Sequence, residues 1–332
     1  MRIQEIGEDG LIKRIQKRIN PANNKVIVGI GDDAAVLKTR ADKLLLLTTD
    51  MLVEGVHFIR GKISYRDLGY KSLAVNLSDI AAMGGIPLYA VISLALPCDF
   101  EVEDVDAYYE GLEEVASDFG VAVVGGDMTS SPRDMVVNIA VVGQVGKGKM
   151  VLQNGAKEGD LIAVTGKLGG SAAGLCVLLN PHIGFPSPWR EEALNKHCRP
   201  FPRVKEGHLL ANTGKVNAMK DISDGLAREA DVIAQASGKM LVLDAEKVPI
   251  SSCALEISRV LKKDPLEMAV QGGEDYELLF TFAPEDSRIL SEVADKNGFS
   301  LYVIGKVCPG QGVFFEQGGE RELLVFKGYK HF

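Results

Sequence analysis

Residues Leu44 to Asp50 read LLLLTTD: four leucines run straight into two hydroxyls and a carboxylate. A short apolar run bounded by polar residues predicts a buried strand. Its C-terminal end then carries Thr48, Thr49 and Asp50 out of a core and into a polar site. A carboxylate placed there is costly unless something positive meets it. The arrangement recurs. Val26 to Ile30 is a strand running into a glycine turn with Asp32 and Asp33. Val121 to Val124 is a buried strand ending in Gly125-Gly126-Asp127, and Val216 to Met219 leads into Asp221-Ile222-Ser223-Asp224-Gly225. On this reading the segments converge on metal ions.

Two glycine-rich stretches invite nucleotide-fold readings that their residues reject. Gly29, Gly31 and Ala34 match GxGxxA, with Asp50 about 20 residues on. Asp32 and Asp33 would then face a pyrophosphate, where anions repel. The next strand also begins only about ten residues later, which leaves no room for a crossover helix. The second stretch, GKLGGSAAGL, resembles a P-loop, but Leu168 follows Lys167 and the preceding glycine, Gly159, is too distant. Close helix packing accounts for its small residues, with weak phosphate binding at the following helix N-terminus as the alternative.

Ile3, Ile6, Leu11, Ile12, Ile15 and Ile19 predict a short helix over 3–19. A second helix covers 65–83. Its apolar positions surround it except for one polar stripe, Ser72, Asn76 and Asp79, at i, i+4 and i+7. The stripe is either solvated or lines the site, and its weak charge favours the site. A strand over 88–96, an acidic amphipathic helix over 102–119 and an alternating strand over 135–145 that closes the sheet follow. Further on come a strand at 161–165, a proline-rich loop over 181–202, and a helix ending at Gly238. Then GGEDYELLFTF makes a turn entering a strand, a helix covers 285–297, and short strands run from 301 to 326. This succession gives an α/β or α+β fold.

The 332 residues allow two domains. Glycine and charge rise over GKGKMVLQNGAKEGD, which sets the boundary between an N-terminal domain, 1–148, and a C-terminal domain, 149–332. No apolar run approaches the ~20 residues that span a membrane, and the acidic, amphipathic N-terminus is unlike a secretory signal. The net charge of −8 offers no basic footprint for nucleic acid. A cytoplasmic protein is expected. Cys98, Cys176, Cys198, Cys253 and Cys308 are scattered and lack CxxC spacing, which argues against disulfides and zinc.

Asp32, Asp50, Asp79, Asp127 and Asp221 sit at element ends or on an unusual polar face. Oxygen ligands without clustered His or Cys select a hard cation, Mg²⁺ or Mn²⁺. Several such ions let an acidic cleft accept a polyphosphate, which is the logic of phosphoryl transfer. The residues alone lead as far as a Mg²⁺-dependent phosphoryl-transfer enzyme.

GIGDDAAVL, TTDMLVEGVHF, KSLAVNLSDIAAMGGIP, the GGD at 125–127, DISDGL, GGEDYELLF and the terminal GYKHF closely resemble, in order and over essentially the whole chain, the thiamine-monophosphate kinase family. That family is similar to aminoimidazole ribonucleotide synthetase, selenophosphate synthetase and the hydrogenase-maturation carbamoyl dehydratase. The resemblance implies an N-terminal ATP-binding domain that dimerises through its mixed sheet, a C-terminal α/β domain, and the reaction ATP + thiamine monophosphate → ADP + thiamine diphosphate. It implies that Asp32, Thr48, Thr49, Asp50, Asp79, Asp127, Asp221 and Asp224 hold several Mg²⁺ ions, directly or through water. Gly125, Gly126 and Ser223 are implied ATP contacts, and His57, Glu274 and Tyr329 substrate contacts. Tyr329 either stacks on the cationic thiazolium or anchors the C-terminus. The acceptor phosphate, with a second pKa of ~6, is already a nucleophile at neutral pH, so no side chain is assigned as a general base.

Two positions depart from the family pattern. Met128 stands where a first threonine usually follows GGD, and Gln153 stands where an ATP-contacting arginine is usual. Gln153 takes that place unless Lys147 or Lys149 substitutes for the lost charge. Selenophosphate synthetase needs a reactive Cys near the N-terminus, whereas the first here is Cys98, and the carbamoyl dehydratase ends in cysteine, whereas this chain ends in His331-Phe332. Another ATP-using member of the superfamily and a Mg²⁺-dependent phosphohydrolase remain the alternatives.

Overall fold

The computed structural model describes residues 26–28, 32–38 and 42–328. The predicted 3–19 helix, Gly29, Gly31 and Tyr329 lie outside them. Nine α-helices are described: α1 (Tyr65–Ala82), α2 (Val102–Phe119), α3 (Gly170–Leu179), α4 (Trp189–Cys198), α5 (Val204–Thr213), α6 (Leu226–Ser237), α7 (Ser252–Leu261), α8 (Pro265–Gln271) and α9 (Ser287–Asn297). They pack on two mixed sheets, as the α/β reading expects.

The first sheet holds β1 (Val26–Val28), β2 (Ala35–Lys38), β3 (Lys43–Val53), β4 (Ile86–Pro97), β5 (Ala122–Ser131) and β6 (Val136–Gly146), ordered β1-β2-β3-β6-β4-β5. Only β4 and β5 pair in parallel, and α2 makes the crossover that such a pair requires. Burial alternates along β3: Leu44, Leu46, Thr48 and Leu52 are buried, while Leu47, Thr49 and Met51 are exposed. The leucine run is therefore half-buried rather than covered on both faces, because the helices cover one side of the sheet.

Helix α1 occupies that covered side. Ser64 caps it by accepting the Asp67 N–H. It touches β3, β6, α2 and α5, and also β8 (Val216–Asp221) of the second sheet. Neighbours on every side explain an apolar sequence all round. They also bury Ser72 and Asn76 completely, so the polar stripe is not solvated. A Cβ added at Gly69 would lie 1.8 Å from the Tyr108 carbonyl oxygen, and one at Gly111 1.7 Å from that of Arg66. These two glycines set the close approach of α1 and α2.

The second sheet holds β7 (Leu161–Val164), β8, β9 (Met240–Asp244), β10 (Leu278–Phe282), β11 (Tyr302–Cys308), β12 (Gly312–Gln317) and β13 (Glu320–Leu323), ordered β13-β12-β9-β11-β7-β10-β8. One core runs from Leu46, Leu77 and Ile139 through Leu210 to Met219 and Phe280, and so joins the two sheets. A second, with Ile162, Leu226, Ile233 and Leu279, belongs to the second sheet and α6.

The structure departs from the sequence reading in three further places. The strand predicted to be buried over 121–124 and to end at the glycines is β5, which runs on through Gly125, Gly126 and Asp127 and is exposed along nearly its whole length. Glycine does not end it, because pairing with β4 continues, and Gly126 lies so close that a Cβ would meet the Ile92 carbonyl oxygen at 1.9 Å. The strand at 135–145 does not close the sheet. It is β6, between β3 and β4. The loop expected over 181–202 contains α4, whose Glu191 and Glu192 in the first turn and Lys196 in the last suit the helix dipole. The five cysteines are all free. No helix among the described residues is long and apolar enough to cross a membrane.

Candidate active site

A cleft of about 890 Å³ opens between the two sheets, lined by Asp50, His57, Asp79, Asp221, Asp224 and Glu274 among others. Its acidic wall is assembled from elements far apart in sequence. The turn before β2 brings Asp33, α1 brings Asp79 and the end of β8 brings Asp221. Their carboxylate oxygens lie within 4.8 Å of one another. Thr48, facing inward from β3, donates its hydroxyl to Asp79 Oδ2 at 2.5 Å, and Ser78 donates to Asp221 Oδ2 at 2.6 Å. Asp50 is fixed through its backbone N–H, which donates to Asn76 Oδ1 at 3.0 Å. Thus two members of the α1 polar stripe, Asn76 and Asp79, serve the site directly. The third, Ser72, bonds the Tyr108 hydroxyl at 2.8 Å behind it.

Like charges at this spacing resist ionisation. Burial, then Asp50, Asp221 and Asp33, push the Asp79 carboxyl well above the usual aspartate range. Burial and Asp33 raise Asp221 to about 7. Burial, against the pull of Lys220, raises Asp50 to about 6, and burial with Asp33 raises Asp32 to about 6. Among the described residues, Lys220 answers this charge. Lys220 pairs with Asp33 and lies 3.9 Å from Asp221 and 3.5 Å from Glu229. Burial opposes its charge, yet these acids hold its pKa well above the ordinary lysine value. Lys220 does not saturate the cluster: Asp33 Oδ2 and Asp221 Oδ1 are buried without a hydrogen-bond partner. Orphaned carboxylate oxygens among oxygen-only donors fit a hard divalent cation.

The other candidate residues fall into three groups. Asp32 borders the cluster, accepting N–H groups from Asp33 at 2.9 Å and Gln153 at 3.4 Å, which puts the Gln153 backbone beside the acidic wall. Asp224 and Ser223 lie at its rim, where the Asp224 N–H and the Ser223 hydroxyl both donate to Glu229 Oε1 at 3.2 Å. Asp224 is not a helix cap, since Gly225 holds that position and no side chain caps α6. Thr49 and Asp127 are not brought to the cluster. Thr49 faces the exposed side of the sheet, where its hydroxyl donates to the Ile139 carbonyl at 2.9 Å. The row Asp50, Ile139, Ile92, Gly126 crosses the sheet in register, which leaves Asp127 beside exposed Ser93. Gly126 is therefore about 14 Å from Asp50, three strand spacings away.

His57 and Glu274, the two described residues expected to contact substrate, line the same cleft. His57 Nδ1 accepts the Val53 N–H at 3.0 Å. Glu274 belongs to the segment Gly272–Glu277, in which Glu274 (φ 65°) and Tyr276 (φ 50°) both adopt left-handed backbone. Residues that rarely take this conformation persist only where the surroundings enforce it. Here each acid of GGEDYE is tied to a different element. Glu274 meets Lys71 of α1 and His197 of α4. Asp275 accepts the Gly169 and Ser171 N–H groups at 2.6 and 3.1 Å, and Glu277 bonds Thr165 and Arg203. Asp275 thereby fills the N-terminus of α3, so the P-loop-like turn offers no phosphate site. Its small residues serve packing, since a Cβ at Gly174 would meet the Ala193 carbonyl oxygen at 2.2 Å.

Ser171, His197 and Glu274 are not a nucleophile triad. Ser171 Oγ and Glu274 Oε2 both approach the same ring nitrogen, Nδ1, at 3.0 and 3.3 Å, so the ring cannot relay a proton from one to the other. Burial and Lys71 lower the His197 pKa to about 4, which keeps the ring neutral. Lys220, Glu229, Lys71 and His197 had no assigned role in the sequence reading, and Asp33 entered it only as the second carboxylate of the turn after β1. The doubled aspartate of GIGDD was the one local signal, and the rest become visible only when β8, α1 and α4 meet.

The AIR synthase related protein family matches the chain twice, its N-terminal domain over residues 31–145 and its C-terminal domain over 157–317. The chain is similar to thiamine-monophosphate kinase of Bacillus subtilis (strain 168), 38% identical with 93% of this chain and 95% of that protein covered. It is equally similar, at 38%, to the thiamine-monophosphate kinase of Aquifex aeolicus (strain VF5), with 100% of both covered. Among solved structures, AaThiL complexed with AMPPCP and TMP superposes with a TM-score of 0.88 at 37% identity, covering 100% of this chain and 99% of that one.

Proposed function

The chain belongs to the thiamine-monophosphate kinase family, and we propose that its cleft passes the γ-phosphoryl group of ATP directly to the phosphate of thiamine monophosphate. The activity is ATP-dependent phosphorylation of thiamine monophosphate to thiamine diphosphate. The observation that carries the reading is the Asp33, Asp79 and Asp221 cluster with its orphaned oxygens, in a chain similar over its full length to a protein complexed with AMPPCP and TMP. Asp33, Asp79 and Asp221 would hold Mg²⁺, with Thr48, Asp32, Asp50 and Asp224 around them. When bound, such ions neutralise the charge of the phosphates.

The chain's own groups then position and exclude. Lys220 fixes Asp33, Thr48 orients Asp79, and the His57 ring, whose Nδ1 accepts the Val53 N–H, lines the cleft. The acceptor phosphate needs no base. Among the described residues that line the cleft no activated nucleophile is found, since burial raises the Cys176 thiol and the Ser171 pair cannot relay a proton. Gly125, Gly126, Ser223 and the Gln153 segment serve ATP on this reading, and Glu274 serves the thiamine moiety with His57 and Tyr329. With both substrates and Mg²⁺ present, the expected product is thiamine diphosphate by mass, with inversion at a chiral γ-phosphorus. Retention would establish a phosphoenzyme and remove direct transfer. Phosphate release independent of acceptor would favour a phosphohydrolase.

A homodimer built on the first sheet is part of the proposal. Leu47, Met51, Tyr89, Val91, Val124 and Met128 are exposed on the uncovered face and on β5, the edge strand of the sheet among the described residues. A second copy would cover them and enclose Thr49 and Asp127. Light scattering at micromolar concentration is expected to give twice the 35.7 kDa chain mass, and a monomer overturns the dimer. The division at 148/149 falls between the end of β6 and the start of β7. Free cysteines suit a reducing cytoplasm.

A further inference from the structure

Lys71 is 1% exposed in the middle of α1, and its ammonium lies 3.0 Å from both carboxylate oxygens of Glu274, 203 positions along the chain. A buried lysine is costly unless a carboxylate meets it. Glu274 is about a quarter exposed (26%) and faces the cleft, with Lys71 behind it and His197 Nδ1 3.3 Å to one side. Its backbone is held in the left-handed region by an N–H bond to the Ser223 carbonyl at 2.6 Å. The Glu274 carboxylate thus cannot turn away from the cleft without stranding a buried ammonium.

We propose that Lys71 is a positioning residue for thiamine monophosphate: from inside α1 it locks the Glu274 carboxylate, across the boundary between the two sheets, in the orientation that receives the thiamine moiety. This rests on the reading of Glu274 as a substrate contact. Lys71 lines no part of the cleft and touches neither substrate, so its effect passes through Glu274. The lock also ties the substrate wall to the helix that carries Asp79, eight residues further on, which fixes the spacing between acceptor site and acidic wall.

The test compares wild type, Lys71→Met, Lys71→Gln, Glu274→Gln and the Lys71→Met/Glu274→Gln double variant by steady-state kinetics on both substrates. Lys71→Met is expected to raise KM for thiamine monophosphate about tenfold or more, the scale of one charged hydrogen bond, with KM for ATP within about twofold. Lys71→Gln, which keeps one donor, is expected to fall between. The double variant is expected to match Glu274→Gln alone, because the two changes act through one group. It also removes the stranded charge, so the coupling remains measurable even if Lys71→Met folds poorly. Unchanged KM for thiamine monophosphate, an equal rise in both KM values, or additive effects would each overturn the lock. Failure of wild type to use thiamine monophosphate would instead overturn the proposed function.

Discussion

Asp79→Asn is expected to lower turnover roughly 10²–10³-fold, the scale of one lost electrostatic contact in a transition state, while leaving the protein without cations as stable as wild type or more so. Burial, Asp50, Asp221 and Asp33 all oppose ionisation of Asp79, and the hydrogen bond from the Thr48 hydroxyl favours its charge. Asparagine keeps the oxygen that accepts from Thr48 and removes the charge that repels three neighbours. A ligand that binds only the folded state stabilises by about 3 kcal/mol at a hundredfold excess over Kd. Wild type is expected to gain that stability from Mg²⁺ and ATP, and the variant to lose most of it. Thermal melts with and without Mg²⁺·ATP decide the matter. A full shift retained by Asp79→Asn would take Asp79 out of the cation site, and marked destabilisation without ligand would make it a structural acceptor.

The second large effect is on stability against pH. Asp32 and Asp50 titrate at about 6 and Asp221 at about 7, all above the ordinary 3.8. Between about pH 4 and 7 the folded chain therefore holds protons that the unfolded chain has released. Stability must fall as pH rises through that window, contrary to a protein whose acids are salt-bridged. Glu274 acts in the opposite sense. Burial opposes its charge, but Lys71 holds its pKa below the usual range, so its contribution is present above about pH 4.5 and is lost only in more acid solution. In EDTA the melting temperature is expected to decline by on the order of 5 °C from pH 5 to 7.5. Mg²⁺ competes with protons for the same oxygens and should flatten the decline. A rising or level profile in EDTA would mean that the acids are already compensated.

The sequence by itself determined the reaction class and much of the acidic wall. Thr48, Asp50, Asp79 and Asp221 were legible because each closes or interrupts an apolar segment with a carboxylate or hydroxyl, a local pattern that burial makes costly unless it is used. The stripe Ser72, Asn76 and Asp79 was legible because a solvated face would carry Lys and Glu. The overall α/β organisation followed from periodicity, and the family from motifs in fixed order.

Only the tertiary structure decided which of these groups meet. Whether Asp33 rather than Asp32 stands among the clustered oxygens depends on how the turn before β2 lies against β8, a contact across nearly two hundred residues that no local spacing records. Asp127 shows the converse. Its strand–glycine–carboxylate pattern looked like that of Asp50, but strand order puts two strands between β3 and β5 and register turns it to the exposed face. Lys71, His197 and Lys220 carried no signal because a lysine or histidine in a helix or strand is ordinary until burial removes its water. Burial is a property of everything packed around a residue, so the charges that balance this site were set by the meeting of the two sheets around α1.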